Sequence, residues 1–353
     1  MMDFAKIVRD NIKGLQGYSC AREEFEGTGV MLLDANENPF ESGYNRYPDP
    51  YQRELKEVIG RLKGVEVSRL VLGNGSDELI DMLIRTVCTP RQDNVIVFSP
   101  GYSMYEVSAR VNDVEVRRLD LDEEFMPGWD ALFDRVDQYT KMIFFCTPNN
   151  PVGNVIPLER IEWVAARFGG VVVVDEAYID FADMQSAVKL QDAYRNVVVL
   201  QTLSKAWGLA GLRVGICVAD SELVTYLNKV KPPYNIGILT QRKALEVLRD
   251  ESSFRREVEM IKSERERVIG ILRGLPWLEV VSDSEANFVL VCCECYLELY
   301  KYLIENRVVV RVRHIPPRLS CGLRITIGTR EENNLLIRKL KEYRLQRVTS
   351  YRL

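Results

Sequence analysis

The chain has 353 residues, 46% hydrophobic and 28% charged, with a formal net charge of −4 from 47 basic and 51 acidic side chains. That length fits one large unit plus a smaller one, and the composition is that of an ordinary folded protein rather than a disordered one. The near balance of charge excludes a global field that would draw nucleic acid or an anionic membrane.

No apolar run approaches membrane-spanning length. The start, Met1 to Lys13, mixes charges into every turn and lacks a signal peptide's apolar centre, so the expected location is the cytoplasm. The eight cysteines then read as reduced thiols. Cys292, Cys293 and Cys295 include one C-x-x-C spacing, but no second pair accompanies it, and a buried strand is the expected setting. His314, the single histidine, sits among arginines and prolines, as expected of a surface loop. Acid–base chemistry near neutral pH therefore falls to a lysine, tyrosine or carboxylate.

In chain order, Leu70–Leu72 reads as a strand, followed by Gly73-Asn74-Gly75 and a helix with Leu79, Met82, Leu83 and Val87 on one face. Ser76 takes the N-cap position, with Asp77 and Glu78 in the first turn. Val95–Phe98 is a second strand, ended by Ser99-Pro100-Gly101. Met142–Cys146 is a third, ended by Thr147-Pro148-Asn149-Asn150-Pro151. A helix with Leu158, Ile161, Val164 and Phe168 on one face precedes Val171–Val174, a continuous β-branched run expected of a strand buried on both sides. Val197–Leu200 and Val214–Val218 complete an alternation of βαβ units, which predicts an α/β fold with a mostly parallel sheet.

After Arg249 the pattern changes. A charged helix over about 253–272 leads to strands at Glu279–Val281 and Phe288–Val291. A helix at Leu297–Asn306, strands at Val308–Val310 and Leu323–Ile327, and a terminal helix from Glu331 follow. This order predicts a large unit over 30–250 and a smaller α+β unit made of 1–29 and 251–353.

Open parallel sheets bind ligands at the carboxyl ends of their strands. After Leu72 stands a glycine turn feeding a helix N-terminus, suited to a phosphate group, although Glu78 breaks the dinucleotide fingerprint. After Val174 stands Asp175-Glu176-Ala177-Tyr178. A carboxylate there needs a partner, either a metal ion in a P-loop enzyme, whose lysine motif the chain lacks, or a protonated ring nitrogen. After Leu200, Lys205 follows a buried strand and precedes small and apolar residues, a setting that lowers an amine's pKa and makes it nucleophilic.

The segment from Ser204 to Arg213, SKAWGLAGLR, resembles the lysine motif of fold-type I pyridoxal-phosphate aminotransferases, in particular the histidinol-phosphate aminotransferase family. Leu33–Pro39, Asn45–Asp49, Thr147–Gly153, Asp175–Tyr178 and Leu323–Thr329 resemble further motifs of that family in the same order, and the likeness spans about residues 30–340. Val152, Trp207 and Gly17 depart from the usual threonine, phenylalanine or tyrosine, and proline.

The resemblance implies a pyridoxal 5'-phosphate cofactor in Schiff-base linkage to Lys205, which also shuttles the proton. It implies that Asp175 holds the ring nitrogen protonated, that Tyr178 and Asn150 contact the phenolic oxygen, and that Tyr102 stacks on the ring. Ser76, Asp77, Ser204 and Arg213 would hold the phosphate, joined by Tyr47 from the other subunit of a homodimer. Arg324, Arg311, Tyr18 and Asn150 would contact substrate. Of the two arginines in Arg311-Val312-Arg313, the distance from Arg324 favours Arg311. The implied reaction is amino transfer from histidinol phosphate to 2-oxoglutarate, giving imidazole-acetol phosphate and glutamate. An aromatic-amino-acid aminotransferase and a phosphothreonine-type decarboxylase share the motifs. A dinucleotide-dependent oxidoreductase and a regulator's effector domain are the readings from other classes.

Overall fold

The computed structural model describes residues 2–17 and 31–350, with side chains to residue 345. Its centre is a seven-stranded sheet of β1 (Leu70–Asn74), β2 (Asn94–Ser99), β3 (Glu115–Asp120), β4 (Thr140–Cys146), β5 (Val171–Asp175), β6 (Val197–Thr202) and β7 (Val214–Val218), in the order β1-β7-β6-β5-β4-β2-β3. Only β7 runs against its neighbours β1 and β6. The pairs β6–β5, β5–β4, β4–β2 and β2–β3 are parallel.

Strand side chains alternate between two cores, as the pleat requires. Leu70, Leu72, Ile143, Phe145, Val172, Val174, Val197 and Val199 pack with the helices Arg53–Lys63, Leu158–Ala165 and Ile238–Leu248 on one face. Val71, Met142, Phe144, Val171, Val173, Val198 and Leu200 pack with the helices Ser76–Val87, Met104–Val111 and Ser221–Val230 on the other. Both faces are covered, which explains the unbroken β-branched runs.

The second sheet is antiparallel, in the order β10-β11-β9-β8, from β8 (Glu279–Val280), β9 (Phe288–Cys292), β10 (Arg311–Ile315) and β11 (Leu319–Thr326). Val289, Val291, Leu323 and Ile325 face the helices Glu251–Arg273, Tyr296–Glu305 and Arg330–Ser350. The opposite face turns toward the large sheet: Leu290, Cys292 and Leu319 pack with Val152, and Phe288 meets Tyr178 edge-on.

Several expectations change. Gly75, not Ser76, caps the helix Ser76–Val87; its φ of 80° suits glycine, and Ser76 is the first helical residue. Val308–Val310 is not a strand, because pairing with β11 begins only at Arg311. His314 lies in β10, not in a loop; its side chain is exposed and its Nδ1 is 2.7 Å from the Ser320 carbonyl. The described N-terminal residues do not join the smaller sheet. Phe4, Val8 and Ile12, spaced by four, pack with Leu79, Leu83 and Leu227 against the large sheet. The edge strand β3 and the helix Met104–Val111 carry no sequence expectation above; β3 is half exposed and alternates weakly.

Candidate active site

The parallel strands all deliver their carboxyl ends to one edge of the sheet, and the lone reversed strand delivers its amino end there. Thus Ser76 and Asp77 follow β1, Tyr102 follows β2, Asn150 follows β4, Asp175 ends β5, and Ser204 and Lys205 follow β6, while Arg213 precedes β7. These residues, with Tyr178, Thr202, Arg313 and Arg324, line one cavity of about 180 Å³.

At one end the groups suit an anion. Gly215 of β7 has no room for a Cβ beside the Gly75–Ser76 backbone, so this turn lies tight against the strand. Arg213, at φ 55°, directs its guanidinium to within 3.5 Å of the Ser204 hydroxyl and 3.7 Å of Asp77. The Thr202 hydroxyl donates to Ser204 Oγ at 3.0 Å. Tyr102 donates its hydroxyl to Asp77 at 2.8 Å.

At the other end lies Asp175, 2% exposed. Its Oδ2 accepts from the Tyr105 hydroxyl at 2.6 Å and its Oδ1 from the Ala177 amide at 3.1 Å. Burial pushes its carboxyl up to about 6, and the two hydrogen bonds and the Lys205 charge oppose that rise. Between the two ends, the Asn150 amide nitrogen lies 3.4 Å from the Tyr178 hydroxyl, and Arg324 donates to the Asn150 carbonyl oxygen.

Lys205 rises from the turn after β6 and is reachable by solvent through the cavity mouth. Its amine stands 5.6 Å from the centre of the Tyr178 ring. Partial burial lowers its pKa, and Arg324 and Arg213 lower it further. Both effects favour the neutral, nucleophilic amine.

On the smaller sheet, Val312 and Leu323 point to the helices, so Arg311, Arg313 and Arg324 share the other face, with Arg311 directly opposite Arg324. The cavity wall holds Arg313 and Arg324; Arg311, favoured from its spacing, is exposed and outside that wall. Proximity to Arg324 and Arg311 adds to burial in lowering the Arg313 pKa. Tyr18 lies outside the described residues. Tyr47 is 50% exposed, stacks on Tyr234 at 4.4 Å and does not line its own chain's cavity. Tyr105 and Thr202 carried no expectation. For Tyr105 a signal existed in its place three residues after Tyr102.

Residues 31–340 match the aminotransferase class I and II family. The chain belongs to that family. A histidinol-phosphate aminotransferase of Parabacteroides distasonis is 46% identical over 345 residues, 98% of this chain and all of the relative. The crystal structure of the histidinol-phosphate aminotransferase of Clostridium acetobutylicum aligns with a TM-score of 0.77 at 25% identity, over 85% of this chain and 91% of that one. That of Sinorhizobium meliloti, in complex with pyridoxal-5'-phosphate, aligns with a TM-score of 0.77 at 24% identity, over 84% and 82% of the two chains.

This aminotransferase therefore has the fold-type I architecture, with pyridoxal 5'-phosphate as cofactor. The donor set of the cavity fits that molecule. Hydroxyls, helix N-terminal amides and a guanidinium at one end match a phosphate, and a buried carboxylate at the other matches a protonated pyridine nitrogen.

Proposed function

We propose that the chain transfers the amino group of L-histidinol phosphate to 2-oxoglutarate, giving imidazole-acetol phosphate and L-glutamate in histidine biosynthesis. The observation that carries the choice of substrate is the charge left over in the cavity. Arg213 is matched by Asp77, and Asp175 is matched by a ring nitrogen. The Arg324 guanidinium donates to a neutral amide, and among the described residues the Arg313 guanidinium makes no hydrogen bond or ion pair. Two unneutralised guanidinium groups facing Lys205 suit a phosphate dianion in charge and in fork geometry. The same pair receives the distal carboxylate of 2-oxoglutarate in the second half of the cycle.

Pyridoxal phosphate, when bound, supplies an imine-forming carbon and a ring that withdraws electrons from the reacting bond. In this reading, the Lys205 amine carries the link to it and then moves the proton at the amine-bearing carbon of the substrate. Asp175 would pair with the ring nitrogen, Tyr178 and Asn150 would bind the phenolic oxygen, and Tyr102 would pack on the ring. The Ser76 and Asp77 amides, Ser204 and Arg213 would hold the phosphate. Tyr47, exposed on its own chain, reaches the site of a second subunit in a homodimer. A cytoplasmic location agrees with the seven described cysteines, all free thiols.

The test is an absorption spectrum of the purified protein before and after addition of histidinol phosphate. The yellow band is expected to give way to the pyridoxamine form, and 2-oxoglutarate to restore it. Phenylalanine and phosphothreonine are expected to act far more slowly. A Lys205→Ala protein that still turned over histidinol phosphate would falsify the mechanism.

A further inference from the structure

Tyr102, just before the helix Met104–Val111, and Tyr105, in its first turn, each donate a hydroxyl to an acid of the site, Tyr102 to Asp77 and Tyr105 to Asp175. We infer that Tyr105 is a positioning residue for the cofactor: its hydroxyl aims the Asp175 carboxylate at the ring nitrogen and keeps it ionised. This rests on the reading that Asp175 meets that nitrogen.

Geometry comes first. Asp175 and Tyr105 are 2% and 3% exposed, and their contact at 2.6 Å is short, as expected when the acceptor is a charged carboxylate. The Tyr105 ring is fixed by stacking on Phe144 of β4, with centroids 4.8 Å apart and planes 15° apart. The Tyr102 ring meets it edge-on at 5.5 Å. The hydroxyl oxygen is therefore held in place, with the Asp175 carboxylate and the Cys146 thiol as its polar neighbours and the carboxylate as the charged acceptor. With the Ala177 amide on the other oxygen, each carboxylate oxygen receives one hydrogen bond within the protein. That arrangement fixes the plane of the carboxylate and leaves it accepting capacity toward the cavity.

Electrostatics act in the same direction. The titratable groups around Asp175 include Tyr102, Tyr105, Cys146, Asp77, Tyr178 and Lys205, and Lys205 is the cation among them. Burial and Asp77 favour the neutral carboxyl, which presents no charge to a protonated ring nitrogen. The Tyr105 hydrogen bond is the first counterweight to burial. The hydroxyl itself stays protonated, because burial and the nearby Asp175 push its pKa well above the usual range. It thus remains a donor throughout the working pH range.

The bland alternative is that Tyr105 only fills core volume beside Phe144. Tyr105→Phe separates the two, since it keeps the ring and removes the donor. The full chain, stripped of cofactor, is titrated with pyridoxal phosphate and with the analogue in which the ring nitrogen is replaced by C–H. The preference of wild type for the nitrogen-bearing cofactor over the analogue is compared with that of the variant. Tyr105→Phe is expected to shrink the preference by about tenfold, the worth of one hydrogen bond to a charged group, while binding of the analogue stays unchanged. An unchanged preference, or equal weakening of both ligands, assigns Tyr105 to packing and overturns the inference. A wild type without any preference overturns the pairing of Asp175 with the ring nitrogen, and the inference with it.

Discussion

Asp175 is expected to couple ligand binding to pH, and the sign follows from its environment. Its folded-state pKa, about 6, lies above the ordinary 3.8. For the cofactor-free protein its contribution to stability is therefore fully present below about 3.8 and is lost as pH rises through about 6. A ligand that brings a cationic ring nitrogen favours the ionised carboxylate and removes that loss. The rise in Tm on adding pyridoxal phosphate is thus expected to grow as pH increases through about 6. Asp175→Asn should lack that increment, and an identical increment in the variant would count against the pairing. A second residue-scale prediction concerns the two candidate arginines. Arg313→Gln should raise KM for histidinol phosphate by about tenfold or more, as expected for a lost charged hydrogen bond, with little effect on unphosphorylated histidinol. Arg311→Gln should do less. The reverse ranking would return the role to Arg311.

The helix Glu251–Arg273 links the two sheets. Phe254 stacks on Trp207, two residues beyond Lys205, with ring centroids 3.8 Å apart. Further along, Arg265, 4% exposed, donates to the Phe181 and Ala286 carbonyls at 3.0 and 3.1 Å. Phe181 follows the Asp175–Tyr178 segment, and Ala286 precedes β9. Arg265→Leu leaves both carbonyls without that donor and should cost about 1–3 kcal/mol in denaturant unfolding. A loss within error would show that water replaces the guanidinium without penalty. From the sequence, this helix reads only as charged. The pairing of Arg265 with carbonyls from two distant segments has no local signature.

At the scale of the whole molecule, the exposed Tyr47 and the cavity it does not reach make the homodimer testable. Lys205→Ala and Tyr47→Phe proteins, each impaired alone, are unfolded together and refolded. If Tyr47 serves the neighbouring subunit, mixed dimers contain one intact site and activity rises above that of either parent. Activity no greater than that of the separately refolded parents would confine Tyr47 to its own chain. Among the described residues no helix is long and apolar enough to cross a membrane.

Much of the large sheet was legible because strands buried on both faces must be apolar without interruption, as Val171–Val174 is. The exposed edge β3 lacks that constraint and passed unread. The carboxyl-edge rule likewise exposed Asp175 and Lys205, since each is a charged residue at or just beyond the end of an apolar strand. Local pattern did not reveal where Phe4, Val8 and Ile12 pack, because an apolar stripe specifies a buried face but not its partner. Nor could spacing choose between Arg311 and Arg313. Both lie on one face of β10, and only the position of the small sheet against the cavity brings one of them into the wall. Tyr105 is similar: its helix carried no expectation, and its meaning arises when β2 and β5 come together in one sheet. Sequence by itself determined most strands of the large sheet, the family motifs and the charged strand ends, which depend on neighbours a few residues away. The tertiary structure decided which distant hydroxyls, carboxylates and guanidinium groups meet, because those contacts depend on how separate elements pack.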